Sequence, residues 1–392
     1  MEYISAVEAA EKWGVSLRQV QRLLASGRIP DTKRYGRSWM IPAGAEKPDD
    51  LRREKQQATV PALPSGLAYM LEATARPAPK DSPDAILAAL SEERLHFHYE
   101  GGLAYLRGDF EQVLRCFQKV DGDDAAKLCD ASLAIAAAVS AGDYPLYTTI
   151  EGFLKGIERA DASAEVTAFA QLSLSTAYLG AMAPNMVPAW LKEGNFSALP
   201  PQARPEAAHL RAKYFQCACQ YESMLAVAQT ALAFCDSRDM TSSHIYLSLM
   251  CAVACNALGR ADEAQRWLLD IMRIVLPHGF ITPFAELLPV MGGLVEECLE
   301  REFPAYYDDV IDQCRRTMPN WIAFHNRFTK DNVTAILSLR EFQIAALAAR
   351  GVPNGQIAAQ FHISVGRLKT ILHEIYGKLL VNNRKELSRF IL

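Results

Sequence analysis

The feature that most constrains the fold of this chain is a set of helix start and stop signals in its last fifty or so residues. Ser338 and Glu341 have the spacing of a capping box, in which each side chain satisfies backbone N–H groups at a helix start. Gly351 is typical of a residue just past a helix end. The sequence therefore predicts a helix that ends before Gly351. Its buried stripe is expected to contain Ile344, Leu347 and Ala348.

Two further helices are predicted directly after this one. The second covers about 354–361, with Asn354 as its expected cap, and a turn of two residues separates it from Ser364. Ser364 is expected to cap a third helix that continues to about Leu379. Two short helices joined by so tight a turn indicate a helix-turn-helix, whose second helix fits the major groove of DNA.

Helical spacing divides the third helix into a buried face and an exposed face. The residues expected to be buried are Val365, Leu368, Ile371, Leu372, Ile375 and Leu379. The residues expected to face outward are Arg367, Lys369, Thr370, His373 and Glu374. From Val333 onward there are eight Lys or Arg residues against three acidic ones, so this region is basic within an acidic chain. A positive face on such a helix is what binding to phosphates requires.

This C-terminal segment resembles the DNA-binding domain of the LuxR (also GerE or NarL/FixJ) family of bacterial transcription regulators. The family pattern is L-T-x-R-E, A-x-G-x-S-N-x-E-I-A, I-S-x-x-T-V-K-x-H and K-L-x-V-x-x-R. The matching residues here are Leu339, Arg340, Glu341, Ala349, Gly351, Asn354, Ile357, Ala358, Ile363, Ser364, Lys369, Lys378, Leu379, Val381 and Arg384. The resemblance implies a four-helix DNA-binding domain over 333–392.

The same resemblance implies contacts with double-stranded DNA and a homodimer paired through the last helix, about 383–391. The residues expected to bind DNA are Arg367, Lys369, Thr370, His373, Glu374, Asn354 and Arg384, the last as a phosphate contact. The segment departs from the family pattern at four places. They are Arg367-Leu368 for Thr-Val, Ile371 for His, Glu374 for a common Asn, and Leu380 for Gly. Glu374 repels phosphate but can accept a hydrogen bond from cytosine N4.

The N-terminus contains a second, independent pattern of this kind. Ser5 with Glu8 and Ser16 with Gln19 have capping-box spacing, and Gly14 separates the two predicted helices. Residues 33–41 alternate with period two, which predicts a β-hairpin. The residues expected to face DNA are Arg18, Gln19, Gln21 and Arg22 on the second helix and Arg34 and Arg37 on the hairpin. A hairpin beside such a helix indicates a winged helix-turn-helix over 1–45.

This N-terminal segment resembles the excisionase-like, MerR-related helix-turn-helix. The family pattern is A-A-x-x-x-G-V-S, G-x-I-P and V-G-R-x-W-x-I-P. It is matched by Ala9-Ala10, Gly14-Val15-Ser16, Gly27, Ile29-Pro30, Tyr35-Gly36-Arg37, Trp39 and Ile41-Pro42. Prolines and clustered charges follow over 46–83, a composition typical of a semi-extended linker.

Residues 84–328 contain a repeat of helix, turn and helix. Predicted helices end at Gly108, Gly142, Gly180 and Gly259, and a further turn lies at 219–221, so the spacing is between 34 and about 40 residues. That period is typical of a tetratricopeptide-like helical solenoid. The fold class expected for the chain is therefore mainly α. The solenoid is flanked by the winged helix-turn-helix and by the C-terminal domain.

The end of the array, Leu276 to Leu287, resembles the last repeat of the helical sensor domain in MalT-type LuxR regulators. The resemblance implies that the repeats bind an effector, whether a peptide, a protein or a small molecule. A nucleotide-binding G-x-x-x-x-G-K-[ST] motif does not occur in the sequence.

Charge, composition and the motifs searched for favour a cytoplasmic protein without enzymatic activity, cofactor or bound metal, with basic ends that face nucleic acid. The formal net charge is −4, and subtracting +3 for residues 1–57 and +5 for residues 333–392 leaves −12 for the body. An acidic body between basic ends is not expected to bind DNA itself. No export signal or membrane-length apolar run is visible, and no catalytic motif was found.

Two alternatives remain open at this point. The chain is also compatible with a helical-repeat adaptor or scaffold whose terminal domains make protein contacts. Nine cysteines, including the pairs Cys217 with Cys219 and Cys251 with Cys255, allow a redox-sensor interpretation. Packing of cysteine as a small hydrophobe is the favoured explanation.

Overall fold

The computed structural model describes residues 3–25, 29, 32–35, 38–45, 47, 82–120, 122, 124–160, 162–235, 241–291, 293–330, 337–379 and 381–391. These residues belong to two compact units, within Met1–Thr59 and Val60–Leu392. The predicted linker over 46–83 lies outside the described residues except for 47, 82 and 83, and so do Gly27, Gly36 and Arg37. None of the described helices is long and apolar enough to cross a membrane.

The described residues of the N-terminal unit form two helices and a small sheet. Its elements are β1 (Tyr3–Ser5), α1 (Ala6–Trp13), α2 (Leu17–Ala25), β2 (Lys33–Tyr35) and β3 (Ser38–Pro42). The sheet order is β1-β3-β2, and both pairings are antiparallel. The predicted hairpin is therefore present as β2 and β3. The first strand was not predicted, because three residues carry little periodicity and their partner lies nearly forty positions away.

Local signals position α1. The predicted capping box forms, with the Ser5 amide donating to a Glu8 carboxylate oxygen at 2.7 Å and the Glu8 amide donating to the Ser5 hydroxyl at 3.3 Å. Gly14 ends the helix at a φ of 63°. The half-buried Trp13 closes the helix, and its indole N–H donates to the carbonyl oxygen of Ala45 at 3.3 Å.

The described part of the body of the second unit contains fourteen helices. Their bounds are α3 (Pro83–Ala89), α4 (Glu93–Arg107), α5 (Phe110–Lys119), α6 (Asp124–Ala141), α7 (Tyr144–Arg159), α8 (Ala164–Gly180), α9 (Ala189–Glu193), α10 (Arg204–Cys217), α11 (Tyr221–Ala233), α12 (Ser242–Ala257), α13 (Ala261–Val275), α14 (Thr282–Met291), α15 (Gly293–Glu302) and α16 (Tyr307–Thr329). Short 3-10 turns lie at Pro184–Met186, Pro201–Ala203, Leu276–His278 and Pro304–Tyr306.

Consecutive helices of the body pack as neighbours because the turns between them are short. Gly108, Gly142 and Gly259 end their helices at φ values of 83°, 72° and 76°, a conformation that glycine adopts at little cost. The turn before α11 has no glycine, and Cys219 adopts a φ of 53° instead. Small side chains allow close packing, and α6 and α12 bury runs of alanine and cysteine.

Helix α16 runs past the ends of three earlier helices. The Gln313 side chain occupies the space beside Gly108, Asn320 that beside Gly142, and the Trp321 ring that beside Gly180. The Asn320 amide donates to the carbonyl oxygen of Ser140 at 2.8 Å, and the Trp321 indole N–H donates to the Ser140 hydroxyl at 3.2 Å. These contacts tie the C-terminal end of the body to its N-terminal half.

Four further helices complete the second unit. They are α17 (Leu339–Ala349), α18 (Asn354–Gln360), α19 (Val365–Leu379) and α20 (Arg384–Ile391). Their shared core is a cluster that includes Phe342, Ile344, Leu347, Ile357, Leu368 and Ile375. The predicted arrangement of helices near the C-terminus is therefore observed, including the buried stripe of α17.

Candidate DNA-binding surface

The start of α17 is fixed by the capping box that the sequence predicts. The Ser338 amide donates to the Glu341 carboxylate at 2.8 Å, and the Glu341 amide donates to the Ser338 hydroxyl at 3.2 Å. The Lys378 ammonium donates to both oxygens of the same carboxylate, at 2.7 and 2.9 Å. Burial raises the pKa of Glu341, but the hydrogen bonds from Lys378 and Ser338 together lower it by more than burial raises it. The pKa of Glu341 therefore lies below its ordinary value. This carboxylate therefore joins the end of α19 to the start of α17.

A tight turn connects α18 to α19. The amides of His362 and Ile363 donate to the carbonyl oxygens of Ala359 and Ala358 at 3.1 and 3.0 Å. His362 adopts a φ of 51°, the left-handed conformation that reverses the chain within two residues. Ser364 caps α19 as predicted, since its hydroxyl accepts from the Arg367 amide at 3.1 Å.

The cap of α18 differs from the prediction. Asn354 is the first helical residue, and Pro353 precedes it as a cap without a side-chain hydrogen bond. The Asn354 side chain instead accepts a hydrogen bond from the Arg384 guanidinium at 2.9 Å. The local sequence predicted a cap at Asn354 because it does not show that Arg384, thirty positions away, binds the Asn354 side chain.

The buried face of α19 matches the prediction with one clear exception. Leu368, Leu372, Ile375 and Leu379 are buried, and Ile371 is half-buried. Val365 was expected to be buried but is 43% exposed. It is the first residue of the helix, where no neighbouring helix covers it.

The outward face of α19 carries the predicted contact residues. Arg367, Lys369, Thr370, His373 and Glu374 are all exposed. The Thr370 hydroxyl donates to the carbonyl oxygen of Gly366 at 3.3 Å. The other four side chains make no hydrogen bond or ion pair with residues that the structure describes. Their positive and hydrogen-bonding groups are thus available to an external partner.

Arg384, expected to contact phosphate, has internal partners. Its guanidinium donates to the carbonyl oxygen of Val352 at 2.8 Å as well as to Asn354, and the residue is half-buried. These bonds hold the start of α20 against the start of α18. The structure therefore brings two of the predicted DNA contacts, Arg384 and Asn354, together. Neither of them belongs to α19.

The body contacts α17, α18 and the turn, while the residues named on the outward face of α19 stay exposed. In α12, the buried Asn256 side chain donates to the carbonyl oxygen of Gln360 at 2.8 Å, and its Oδ1 lies 2.8 Å from Nε2 of His362. The Gln360 amide donates to the Tyr221 hydroxyl at 3.2 Å. The Arg350 guanidinium donates to the carbonyl oxygen of Cys217 at 3.1 Å.

Sequence reasoning missed this interface. One signal was present, because Asn256 is a lone amide within the alanine- and cysteine-rich helix α12. A buried amide needs hydrogen-bond partners. Nothing in the local sequence of α12 indicates that those partners lie about a hundred residues further along the chain.

The N-terminal unit places its predicted contact residues less uniformly. Arg18 and Gln21 on α2 are exposed, and so is Arg34 on β2, whose guanidinium lies 5.5 Å from the centre of the Trp39 ring. Gln19 was expected to face outward but is half-buried. It lies in the first turn of α2, directly before the fully buried Val20. The Arg22 side chain and Arg37 lie outside the described parts of this unit.

Comparison with known proteins identifies the C-terminal helices. Residues 335–391 match the family model described as GerE, bacterial regulatory proteins of the luxR family. No solved structure matches the chain. The matched segment contains the capping box, the tight turn and the exposed helix α19 described above. Residues 335–391 are therefore a LuxR-family domain, which indicates that the chain is a DNA-binding transcription regulator.

Proposed function

We propose that this protein is a cytoplasmic, sequence-specific transcription regulator that reads DNA through α19 and is controlled by its helical body. The observation that carries the proposal is the exposed basic face of α19 on a LuxR-family domain whose helices α17 and α18 contact the body. An exposed helix of about four turns is suited to the major groove of B-DNA.

The side chains on α19 divide by chemistry into two roles. Arg367 and Lys369 supply the charge that binds phosphates, and Arg367 and Thr370 are placed to reach base edges. His373 and Glu374 lie one turn further along, where Glu374 selects for a base that donates a hydrogen bond, such as cytosine. Asn354 and Arg384 support this surface by holding α18 and α20 together.

Two further DNA-related roles complete the proposal. The N-terminal unit acts as a second, winged helix-turn-helix module, with Arg18, Gln21 and Arg34 as its exposed contacts and Gln19, Arg22 and Arg37 as neighbours. Two copies of the chain pair through α20 on a palindromic site, whose half-site spacing follows from the two-fold symmetry.

The body is proposed to be a tetratricopeptide-like effector domain. Its helices contact the LuxR-family domain through Asn256, Tyr221 and Cys217, so an effector that favours one arrangement of the body changes how that domain is held. Control of this kind needs a difference in effector affinity between the two arrangements.

The salt dependence of DNA binding tests the proposal. The full-length protein is titrated with a random duplex between about 50 and 200 mM salt, the range over which phosphate contacts change affinity steeply. The double variant Arg367→Ala, Lys369→Ala is compared with a matched loss of two exposed positive charges on the body, Arg301→Ala, Arg315→Ala.

The α19 variant is expected to reduce the log–log slope by about 1.8, because each phosphate contact contributes about 0.9. The body variant is expected to leave the slope unchanged. Equal slopes for all three proteins would remove α19 from the interface. A wild-type protein that is not retained on DNA at low salt would favour the adaptor alternative.

A further inference from the structure

The second unit contains a cavity inside the helical body. Its volume is about 550 Å³, within the range of about 300–1,000 Å³ usual for small-molecule sites. Helices α4, α6, α8, α10, α12, α14 and α16 all contribute to its wall. Apolar and aromatic side chains, among them Leu103, Phe169, Met318 and Trp321, cover most of it. Such a wall suits a ligand with an apolar or aromatic body.

Two carboxyl groups lie on this largely apolar wall. Glu206 accepts a hydrogen bond from the Ser132 hydroxyl at 2.5 Å, and Glu286 accepts one from the Tyr105 hydroxyl at 2.7 Å. Neither carboxyl forms an ion pair with a residue that the structure describes. Burial raises the pKa of Glu206, although the Ser132 hydrogen bond and nearby His98 act in the opposite direction. No cation of the described chain is therefore paired with either carboxyl, and a positive partner would favour the ionised form of Glu206 that burial disfavours.

A third polar group on the wall lacks an internal partner. The Nε2 atom of His209 is buried and makes no hydrogen bond within the described part of the chain. Burial, together with the charge of Lys213, lowers the pKa of His209 to about 3, so the ring is neutral. The ring stacks on Tyr246 with centroids 4.9 Å apart, which fixes its orientation. A buried imidazole nitrogen without a partner is costly unless a ligand or water completes its hydrogen bonding.

The charges on the wall decide which ligand fits. His98 is hydrogen-bonded to Asp130, which offsets its positive charge. Lys213 is then opposed by the two carboxyl groups of Glu206 and Glu286. An anionic ligand meets net repulsion, and a neutral ligand leaves the carboxylates unpaired in an apolar setting, which costs free energy. A cation replaces the missing partner and gains further from aromatic faces.

We infer that the cavity binds a small organic cation, a protonated amine or guanidine on an apolar or aromatic body, whose charge pairs with Glu206 and Glu286. The ligand's N–H groups donate to these carboxylates and to Nε2 of His209, and its apolar part lies against Phe169 and Trp321. That this ligand is the effector rests on the proposed function. Its binding to the cavity does not, and it is measurable without DNA.

Three probes that share one carbon skeleton and differ in charge test the inference. They are 4-phenylbutylamine, 4-phenylbutan-1-ol and 4-phenylbutyrate, each titrated into the full-length, DNA-free protein by calorimetry, with thermal unfolding as a second readout. The amine is expected to bind at least tenfold more tightly than the alcohol, and the acid more weakly still. Equal affinities for amine and alcohol, or no binding of any probe at millimolar concentration, would overturn the inference.

Matched variants locate the binding. Glu206→Gln and Glu286→Gln, which keep side-chain shape, are expected to reduce the preference for the amine, and the double variant to abolish it. Glu297→Gln on the exposed face of α15 removes the same charge outside the cavity and is expected to change nothing. Lys213→Met removes the opposing charge and is expected to tighten amine binding severalfold, so it tests the inference even if a glutamine variant misfolds. A Glu206→Gln, Glu286→Gln double variant that still preferred the amine would overturn the inference.

The same titrations separate this inference from the proposed function. Amine binding by a protein that is not retained on DNA would leave the cavity assignment intact and reject the regulator. Retention on DNA without a preference for the amine would support the regulator and reject the cavity assignment. Where both hold, the amine is expected to change DNA affinity, and the Glu206→Gln, Glu286→Gln variant to lose that response while still binding DNA.

Discussion

Asn256 and His362 lie 106 positions apart in sequence, yet Oδ1 of Asn256 and Nε2 of His362 are 2.8 Å apart. The same asparagine donates to the carbonyl oxygen of Gln360, so one buried amide contacts both the end of α18 and the turn that follows it. The turn of the helix-turn-helix is thereby part of the interface with the body. The body is therefore hydrogen-bonded to residues that come directly before α19.

Replacing Asn256 with leucine is expected to loosen α18. The substitution keeps approximate volume but removes the partner of the His362 ring and that of the buried Gln360 carbonyl, and the unsatisfied carbonyl costs about 1–3 kcal/mol. Hydrogen–deuterium exchange of residues 354–363 is expected to become faster than in the wild type. His373→Ala, on the exposed face of α19, serves as the control and is expected to leave that exchange unchanged.

Replacing Glu341 with alanine is expected to destabilise the LuxR-family domain by about 1–2 kcal/mol, the usual loss for a helix cap. The carboxylate also binds Lys378, so a double-mutant cycle with Lys378→Met is expected to show coupling. Because the pKa of Glu341 is lowered, its contribution is present at neutral pH and is lost as pH falls through the folded-state pKa. Chemical denaturation at pH 7 and at pH 3 measures both effects, and additive single losses would contradict the shared carboxylate.

Arg384 and Lys369 are expected to give opposite results when each is replaced with methionine. Arg384→Met removes two internal hydrogen bonds and is expected to lower the free energy of unfolding by about 1–3 kcal/mol. Its effect on the salt slope of DNA binding is expected to be small. Lys369→Met is expected to leave stability unchanged and to reduce the slope by about 0.9. A lowered slope for Arg384→Met in a protein of unchanged stability would instead favour a direct phosphate contact.

Protonation of His209 is expected to destabilise the body. Its folded-state pKa is about 3, below the ordinary value of 6.5, so the unfolded chain binds the proton more tightly. The contribution of neutral His209 to the free energy of unfolding is therefore complete above pH 6.5. It is lost as the pH falls towards 3, at up to about 1.4 kcal/mol per pH unit. The stability difference between wild type and His209→Asn is expected to shrink over that interval. A difference that does not change with pH would show that this histidine is not kept neutral.

Gly180 and Gly152 form a matched pair for testing the packing of α16. An alanine methyl at Gly180 lies 2.3 Å from an atom of the Trp321 ring, whereas at Gly152 no atom lies within 4 Å. Gly180→Ala is expected to destabilise the protein by about 1–3 kcal/mol, as overpacking does. Gly152→Ala, inside α7, is expected to stabilise it by up to about 1 kcal/mol through helix propensity. Thermal unfolding of both variants checks the prediction, and equal effects would contradict the Trp321 contact.

Features set by neighbouring residues were predictable from sequence, and features set by distant partners were not. The boxes at Ser5 and Ser338 and the glycine-ended helices depend on groups within four or five positions, so their spacing predicts them. The prediction that Asn354 caps α18 was wrong because Arg384, thirty positions away, binds its side chain. Cys219 takes a conformation usual for glycine, so a search for glycine turns locates that turn only approximately.

The candidate DNA-binding face follows from helical periodicity, since Leu368, Leu372 and Ile375 fix which side of α19 is covered. The cavity had no comparable signal. Glu206 and Glu286 lie eighty positions apart on helices whose other residues are ordinary, and only the packing of seven helices brings them to one wall. The residues next to Glu206 and Glu286 in the sequence do not distinguish these two glutamates from solvent-exposed ones.

Helix α16 contacts both the cavity and the LuxR-family domain. Its twenty-three residues span roughly 35 Å at the usual rise of an α-helix. Met318 and Trp321 face the cavity, while one turn onward the His325 ring meets Phe342 of α17 edge to face, with centroids 5.1 Å apart. A molecule that displaces the Trp321 ring therefore acts on α16 within one turn of its contact with α17. Under the proposed function, occupancy of the cavity is therefore expected to change the contact between α16 and α17 before it changes DNA affinity.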